Sequence, residues 1–115
     1  MIFNQSDVIT SFVKYFDGLA AIRNYEGKYL LTNLTWQKQI GSKEGQYLED
    51  IMDFPASDNM ATNLNHCRKY DDSVIYHNQP IYNFEFFKKK RYITMRFPIN
   101  YKNQNAILIL GTIHK

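Results

Sequence analysis

The sequence predicts an α+β fold, in which a five-stranded antiparallel sheet carries short helices on one face. The order of the pattern supports this prediction, because a β-hairpin precedes a run of helical segments and three strand-like runs close the chain. Length supports it as well, since 115 residues can enclose one hydrophobic core but not two. Eight Phe and nine Tyr provide large side chains to fill that core.

An amphipathic helix is predicted at the start of the chain. Ser6 or Asp7 can cap it, and Gly18 ends it. Its apolar side chains recur at the i, i+3, i+4, i+7 spacing of one helical stripe, formed by Ile9, Phe12, Val13 and Phe16. We therefore divide the chain into an N-terminal helix, residues 1–18, and one domain, residues 19–115.

The domain begins with a predicted hairpin, in which residues 24–27 provide the turn chemistry between two short strands. Asn33 ends the second strand. Helices follow at residues 34–40 and 47–52, and a longer one, continuous or restarted at Asp71, runs from a cap at Ser57 or Asp58 to His77. The remaining predicted strands are residues 81–87, 92–97 and 106–113.

Composition excludes several classes of protein. The net charge of +3 is too small, and too little clustered, to predict direct contact with nucleic acid. One cysteine permits no internal disulfide, which fits a reducing compartment. No signal peptide and no apolar stretch of the roughly 18 residues needed to cross a bilayer can be recognised. We expect a cytoplasmic protein without membrane contact.

Several motifs, in order along the chain, resemble those of PAS domains. They are IRNYEGKYLLTN at residues 22–33, LTWQKQIG at 34–41, YDDSVIYHNQP at 70–80, ITMRFPI at 93–99 and ILILGTI at 107–113. The sequence is similar to the PAS subfamily found as the N-terminal sensor of bacterial LuxR-type regulators and histidine kinases. In this alignment Asp72 takes the position of the family's helix aspartate.

The resemblance implies a sensory module that binds a small molecule or a partner and signals through the geometry of a homodimer, in the regulation of transcription. It also implies an output domain, a helix-turn-helix or a kinase, beyond residue 115. The alternative is a ligand-free domain for protein interaction. A small enzyme of cone-like fold is the third hypothesis, but no catalytic set converges, so we predict no enzymatic activity.

Which face of the second hairpin points inward is open at this stage. A tight turn at Lys89 and Lys90 would place Phe87 opposite Tyr92, Glu85 opposite Thr94 and Asn83 opposite Arg96. The plain hydrophobic pattern turns the opposite, aromatic face to the core. The resemblance instead turns Thr94 and Arg96 inward, which would leave the aromatic face outside.

If Thr94 and Arg96 point inward, polar side chains gather beneath the helices, where they form either a purely structural network or a network that also holds a ligand. The predicted ligand-binding set is Asn83, Glu85, Thr94, Arg96, Tyr92 and Cys67. No metal site and no cofactor are predicted. Asn65-His66-Cys67-Arg68 superficially resembles a flavin-reactive motif, but the residues that would hold flavin lack counterparts. The lone histidines His66 and His77 are poor candidates for haem, so we expect a colourless protein.

The same orientation leaves a large apolar surface that predicts a dimer. The helix stripe would lie over the outer face of the sheet, either its own or that of a twofold partner. The predicted interface consists of Ile9, Phe12, Val13 and Phe16 from the helix and Phe84, Phe86, Ile93, Met95 and Phe97 from the sheet.

Overall fold

The computed structural model describes residues 5–53, 60–87 and 90–113. Its elements are α1 (Gln5–Tyr15), β1 (Leu19–Asn24), β2 (Tyr29–Thr32), α2 (Leu34–Gln39), a 3-10 helix (Leu48–Asp53), α3 (Met60–His77), β3 (Ile81–Phe87), β4 (Lys90–Tyr101) and β5 (Gln104–Ile113). The predicted α+β order is confirmed. The main helix is one continuous helix of 18 residues, and its predicted caps, Ser57 and Asp58, lie outside the described residues.

The five strands form one antiparallel sheet in the order β2-β1-β5-β4-β3. The first hairpin and the closing meander are therefore joined by the pairing of β1 with β5. Because β1 alternates in and out, Leu19, Ala21 and Arg23 face α2 and α3, while Ala20 and Ile22 face α1. The sheet thus separates an inner core beneath α2 and α3 from an outer core beneath α1.

Asn33 ends β2 and begins α2, as predicted. Its side-chain oxygen accepts a hydrogen bond from the amide of Trp36 at 2.9 Å, which is the usual N-cap contact. The same oxygen accepts from the amide of Ala20, and the side-chain amide donates to the carbonyl of Gly18 at 2.8 Å. One side chain therefore ties the start of α2 to the start of β1.

The predicted register of the second hairpin is wrong by two residues. Phe87 pairs with Lys90, so Glu85 lies opposite Tyr92 and Asn83 opposite Thr94. The connection is centred one residue earlier than the turn we predicted at Lys89 and Lys90, and the two connecting residues lie outside the described residues. Because the register differs by an even number of residues, each side chain still lies on the same face of the sheet as in the predicted register.

The facing itself follows the family resemblance, and the plain hydrophobic pattern is wrong here. Thr94 and Arg96 are buried, whereas Phe84, Phe86 and Met95 are exposed. The reason is that the polar residues on the inner face have buried partners of opposite charge, described below. Hydrophobicity alone cannot anticipate such pairing.

Helix α1 packs on the outer face of its own sheet. Val13 is completely buried there, with Ile9, Phe16 and Phe97 packed around it. The helix is also fastened by hydrogen bonds, since Ser6 Oγ accepts from the amide of Lys102 at 2.8 Å and the hydroxyls of Thr10 and Tyr101 lie 2.5 Å apart. Four residues of the predicted interface, Ile9, Val13, Phe16 and Phe97, therefore contribute to the chain's own core. In the described part of the chain, no helix is long and apolar enough to span a membrane.

Candidate ligand cavity

A buried ionic network lies between the inner face of the sheet and α3. Asp71 accepts two hydrogen bonds from Arg23, at 2.9 and 3.0 Å, and one from Arg96 Nε at 2.7 Å. Glu85 accepts two from the other end of the Arg96 guanidinium, at 2.7 and 3.1 Å, and one from the hydroxyl of Thr94. Two carboxylates therefore alternate with two guanidinium groups along one chain of contacts.

Regular periodicity brings these residues together from four elements. On α3, Cys67, Asp71 and Val74 follow the i, i+4, i+7 spacing that places side chains on one helical face. On β4, Tyr92, Thr94 and Arg96 alternate inward. Arg23 arrives from β1 on the face shared with Leu19 and Ala21, and Glu85 arrives from the edge strand β3. The network thus connects both hairpins to the main helix.

Opposite effects act on the carboxyl groups of the network. Burial alone would raise the pKa of Asp71, but the positive charges of Arg23 and Arg96 outweigh it and hold the pKa below its ordinary value. Burial likewise opposes ionisation of Glu85, and the hydrogen bonds and charge of Arg96 lower its pKa overall. Both carboxyl groups are therefore ionised near neutral pH and have no proton to donate.

The thiol of Cys67 has the reverse environment. Burial and the negative charge of Glu85 raise its pKa to about 12, and the thiol donates to Glu85 at 3.3 Å. A thiol needs to be deprotonated to act as a nucleophile, so this cysteine is unreactive near neutral pH. The arrangement forms a fixed polar wall.

Next to the network, the inner core contains a partly open cavity of about 50 Å³. A water molecule needs on the order of 10–15 Å³ by this measure, so the space accommodates about three to five water-sized groups. One wall is polar, with Arg23, Glu85, Thr94 and Arg96. The remaining walls are mostly apolar and aromatic, formed by Leu19, Tyr29, Trp36, Ile40, Leu48, Cys67, Phe87, Tyr92 and Ile109, and Phe86 borders the space on β3 although it alternates to the outer face.

Trp36 is the lining residue with an unused polar atom. Its side chain is buried, and its indole Nε1–H has no hydrogen-bond partner among the residues that the structure describes. The ring packs edge-on against Tyr29, with 5.8 Å between the ring centroids. The hydroxyl of Tyr29 accepts from Arg23 at 2.9 Å, and that of Tyr92 donates to Gln39 at 3.3 Å. A buried donor without an acceptor is uncommon and calls for an explanation.

Five of the six predicted ligand-binding residues line this cavity: Cys67, Glu85, Tyr92, Thr94 and Arg96. Asn83 faces the same side but does not line the cavity, and its buried side-chain oxygen has no hydrogen-bond partner in the described part of the chain. Within this set, Glu85 and Arg96 form an ion pair, although the two residues are not directly opposite each other. Whether these residues bind a ligand stays a prediction.

Sequence reasoning missed Arg23 and Asp71 and singled out the wrong aspartate. Asp71 is buried and pairs with both arginines, whereas Asp72 is exposed. Helical spacing carried the signal, because Asp71 shares a face with Cys67 and Val74 and Asp72 does not. Arg23 could have been found from its alternation with Leu19 and Ala21. His66 and His77 are exposed on α3, and no group of three potential metal ligands occurs within residues 5–53, 60–87 and 90–113.

On the outer face of the sheet, the part that α1 leaves uncovered is unusually apolar. Four side chains from β3 and β4 are between 42% and 73% exposed, and we call them the open aromatic patch: Tyr82, Phe84, Phe86 and Met95. The guanidinium of Arg91 lies 4.4 Å from the ring centroid of Phe84. Exposed patches of this kind commonly mark binding surfaces.

Comparison with known proteins identifies this architecture. The sequence matches no protein-family model and no curated protein. The PAS domain of BvgS from Bordetella pertussis superposes with a TM-score of 0.72 at 11% identity, over 96% of this chain and 87% of that one. A domain of an HTR-like protein from Haloarcula marismortui gives 0.69 at 13% identity, over 84% and 97%. VqmA from Vibrio cholerae, a LuxR-type receptor, gives 0.64 at 14% identity, over 98% of this chain and 53% of VqmA.

The chain therefore has the PAS fold, as the sequence motifs predicted. The BvgS domain is matched over most of its length, whereas this chain spans about half of VqmA. At these identities the similarity establishes the fold alone.

Proposed function

We propose that this chain is a sensory module that binds a small molecule in the cavity and signals through a homodimer to regulate transcription. The observation that carries the proposal is the position of the cavity. It lies between the helices and a sheet whose other face carries the open aromatic patch. A ligand that moves β4 would therefore act on both surfaces, because Thr94 faces the cavity and Met95 faces the patch.

Proteins of the same fold support a role in sensing. Among the similar structures are VqmA bound to DPO, at 13% identity with a TM-score of 0.68 over 94% of this chain, and a sensory box sensor histidine kinase from Vibrio cholerae, at 7% identity with a TM-score of 0.66 over 94%. By analogy, we propose that an output domain follows residue 115 and makes any contact with DNA, and that the chain acts in the cytoplasm.

Dimerisation is proposed to use the open aromatic patch together with the outer side of α1, where Phe12 and Val8 are about half exposed. Two copies related by a twofold axis would cover each other's apolar surface. Sedimentation velocity of the chain and of a Phe12→Asp, Met95→Asp variant tests this. We expect a dimer that the variant loses. A monomer at about 100 μM, which would leave only an association weaker than this concentration, or a variant that stays dimeric, would refute this interface.

Native mass spectrometry of freshly purified protein tests ligand binding. We expect a small molecule to accompany the chain and to be lost from Cys67→Met, which fills part of the cavity. Lys69→Met is the matched control, because Lys69 is exposed on the same helix and should leave binding unchanged. Loss of the molecule from both variants would show that it is not held in this cavity.

A ligand-free interaction domain is the second candidate, and the small size of the cavity favours it. Sites for drug-sized ligands typically measure about 300–1,000 Å³, which is several times the 50 Å³ found here. If the chain is such a domain, mass spectrometry should find no small molecule bound to the wild-type chain, and the chain should still dimerise. An enzymatic role is not proposed, because the buried carboxylates are held ionised by arginines and the thiol is held protonated.

A further inference from the structure

The two edges of the sheet differ in how their backbone groups are covered. At the β2 edge, the amide of Tyr29 donates to the carbonyl of Gln46 at 2.8 Å, and its carbonyl accepts from the amide of Gly45 at 2.9 Å. The amide of Thr32 likewise donates to the side chain of Glu44 at 3.0 Å. At the other edge, β3 pairs with β4 alone within the described part of the chain. The chain itself therefore closes one edge, and among the described residues the other edge is open.

The pairing of β3 with β4 determines which of its peptide groups point to the open edge. Phe87 pairs with Lys90 across two connecting residues, and a hairpin of that length closes on a hydrogen-bonded pair. Every second residue before Phe87, including Asn83, therefore bonds to β4. The alternate residues Tyr82 and Phe86 direct their N–H and C=O groups away from β4. Peptide groups in this position form a template with which another strand can pair.

The features that usually protect an edge strand are missing from β3. It is seven residues long, its ladder with β4 has no register shift, and it contains no proline or lysine. Its charged residue, Glu85, points inward, which can deter pairing with another strand. Here that charge is already compensated by Arg96, so an added strand would not bury an unpaired charge. The β3 edge is thus suited to strand addition.

The β3 strand of a second copy matches this edge when the two strands run antiparallel about Phe84. Tyr82 would then lie opposite Phe86 of the second copy, and aromatic pairs across neighbouring strands stabilise a sheet. On the inner face, Asn83 would lie opposite Glu85 of the second copy. The two Glu85 side chains would therefore not face each other, and no like charges would be directly opposed.

The charges near the end of β3 also favour the antiparallel arrangement. Lys90 and Arg91 are exposed beside the C-terminal end of the strand. A parallel pair would bring these basic ends of two copies together. In an antiparallel pair they lie at opposite ends of a seven-residue strand, about 20 Å apart. That separation exceeds the screening length of roughly 8 Å at physiological salt, so their repulsion is weak.

A groove between β3 and α3 leaves room for the incoming strand. It has a volume of about 160 Å³, which accommodates on the order of ten water-sized groups. The groove is lined by His66, Tyr70, Phe84, Glu85 and Phe86. The inner-face side chain that an antiparallel copy places beside Glu85 is Asn83, and this side chain is small enough to occupy the groove.

We infer that β3 is a strand-addition site, at which a second copy of this chain pairs its own β3 antiparallel about Phe84 and the two sheets become continuous. The contact uses the backbone at the edge of the sheet. It is therefore distinct from the face-to-face dimer proposed above and does not depend on it. Strand addition leaves the open aromatic patch uncovered and joins the patches of two copies side by side into one wider aromatic surface.

Hydrogen exchange of individual backbone amides, followed by NMR at increasing concentrations of the wild-type chain, tests this inference. The amides of Tyr82 and Phe86 should exchange about tenfold more slowly once roughly nine-tenths of the chain is associated. The amide of Asn83 is the internal control, because it bonds to β4 and should exchange slowly at every concentration. In a mixture of isotope-labelled and unlabelled chain, intermolecular contacts should join Tyr82 to Phe86.

A proline substitution at the open edge separates backbone pairing from side-chain contact. Tyr82→Pro removes a donor that points away from β4, so the bonds to β4 stay in place. It should weaken association by at least about a hundredfold, because both copies lose a donor and gain an obstructing ring. Tyr82→Ala is the matched control, which keeps the donor and should weaken association by less than about tenfold. Sedimentation velocity measures both changes. If Tyr82→Pro fails to fold, amide exchange in the wild type decides the point.

The outcomes distinguish this contact from the face-to-face dimer. Association that leaves the amides of Tyr82 and Phe86 unprotected would overturn strand addition but not the face-to-face interface. Equal losses in Tyr82→Pro and Tyr82→Ala would also overturn it, because side chains alone would then hold the copies together. Protection that persists in the Phe12→Asp, Met95→Asp variant would confirm an edge contact independent of the open aromatic patch. A chain that stays monomeric at about 1 mM would refute both interfaces.

Discussion

The two faces of β4 differ in a way that reverses the usual relation between polarity and burial. On the inner face, Thr94 and Arg96 are buried in an ionic network. On the outer face, Met95 is exposed beside the aromatic side chains of β3. Burial on this strand therefore follows the availability of partners. A charged residue can occupy the core when its counter-ions come from other elements, and an aromatic residue can stay outside when a surface has a use for it.

The largest effect is expected from Asp71→Asn. This change leaves Arg23 and Arg96 facing each other with only Glu85 to balance them, and loss of one partner from a buried network typically costs about 3–5 kcal/mol in the free energy of unfolding. Asp72→Asn is the matched control, since Asp72 is exposed one residue away. Urea unfolding of both variants measures the difference. Similar losses at the two positions would contradict the buried network.

The outer face of the sheet also has two unlike halves, one covered by α1 and one open. Leu110 and Met95 are cross-strand neighbours, but Leu110 is buried and Met95 is not. Leu110→Ala should cost about 2–5 kcal/mol, whereas Met95→Ala should cost less than about 1 kcal/mol in dilute protein. The measurement is urea unfolding at several protein concentrations. A loss at Met95 that grows with concentration would reveal a partner on the open half.

Coupling between Glu85 and Arg96 is the third expected effect. The Glu85→Leu, Arg96→Met double variant should lose about 1–3 kcal/mol less than the sum of the two single variants. The surface ion pair of Glu49 with Arg68 serves as a control, because exposed pairs couple by less than about 1 kcal/mol. Thermal or urea unfolding of the wild type, the single variants and the double variant measures each of these losses in the free energy of unfolding. Additive losses at Glu85 and Arg96 would mean that their observed contact does not contribute to stability.

The smallest effect is a dependence of stability on acid pH. The pKa values of Asp71 and Glu85 are lower in the folded state than in the unfolded state, so the unfolded chain binds more protons below its carboxyl pKa of about 4. Their contribution is therefore present above that pH and is lost as pH falls through the folded-state values. When the free energy of unfolding in urea is measured across this pH range, its slope against pH should be flatter for Glu85→Gln than for the wild type. Parallel slopes would argue against the lowered pKa of Glu85.

The sequence was sufficient to predict the order of the elements, because turns and caps such as Gly18 and Asn33 are local signals. Which side chains of β3 and β4 point to the core could be predicted only from the family motifs, because the hydrophobic pattern of these strands predicts the opposite face. Arg23 and Asp71 escaped prediction for a physical reason. Their burial depends on contacts between residues 48 positions apart, and no local pattern records which distant charges will meet.

The charge balance of the network also constrains how such a sequence can evolve. Replacement of Arg23, Asp71, Glu85 or Arg96 alone leaves the others with an excess charge inside the domain, so a lineage that loses one residue passes through a poorly folding intermediate. Compensating replacements at a second of these positions would relieve it. These four positions should therefore be inherited, or abandoned, as a group, and divergent relatives that lack one should lack a residue of opposite charge as well.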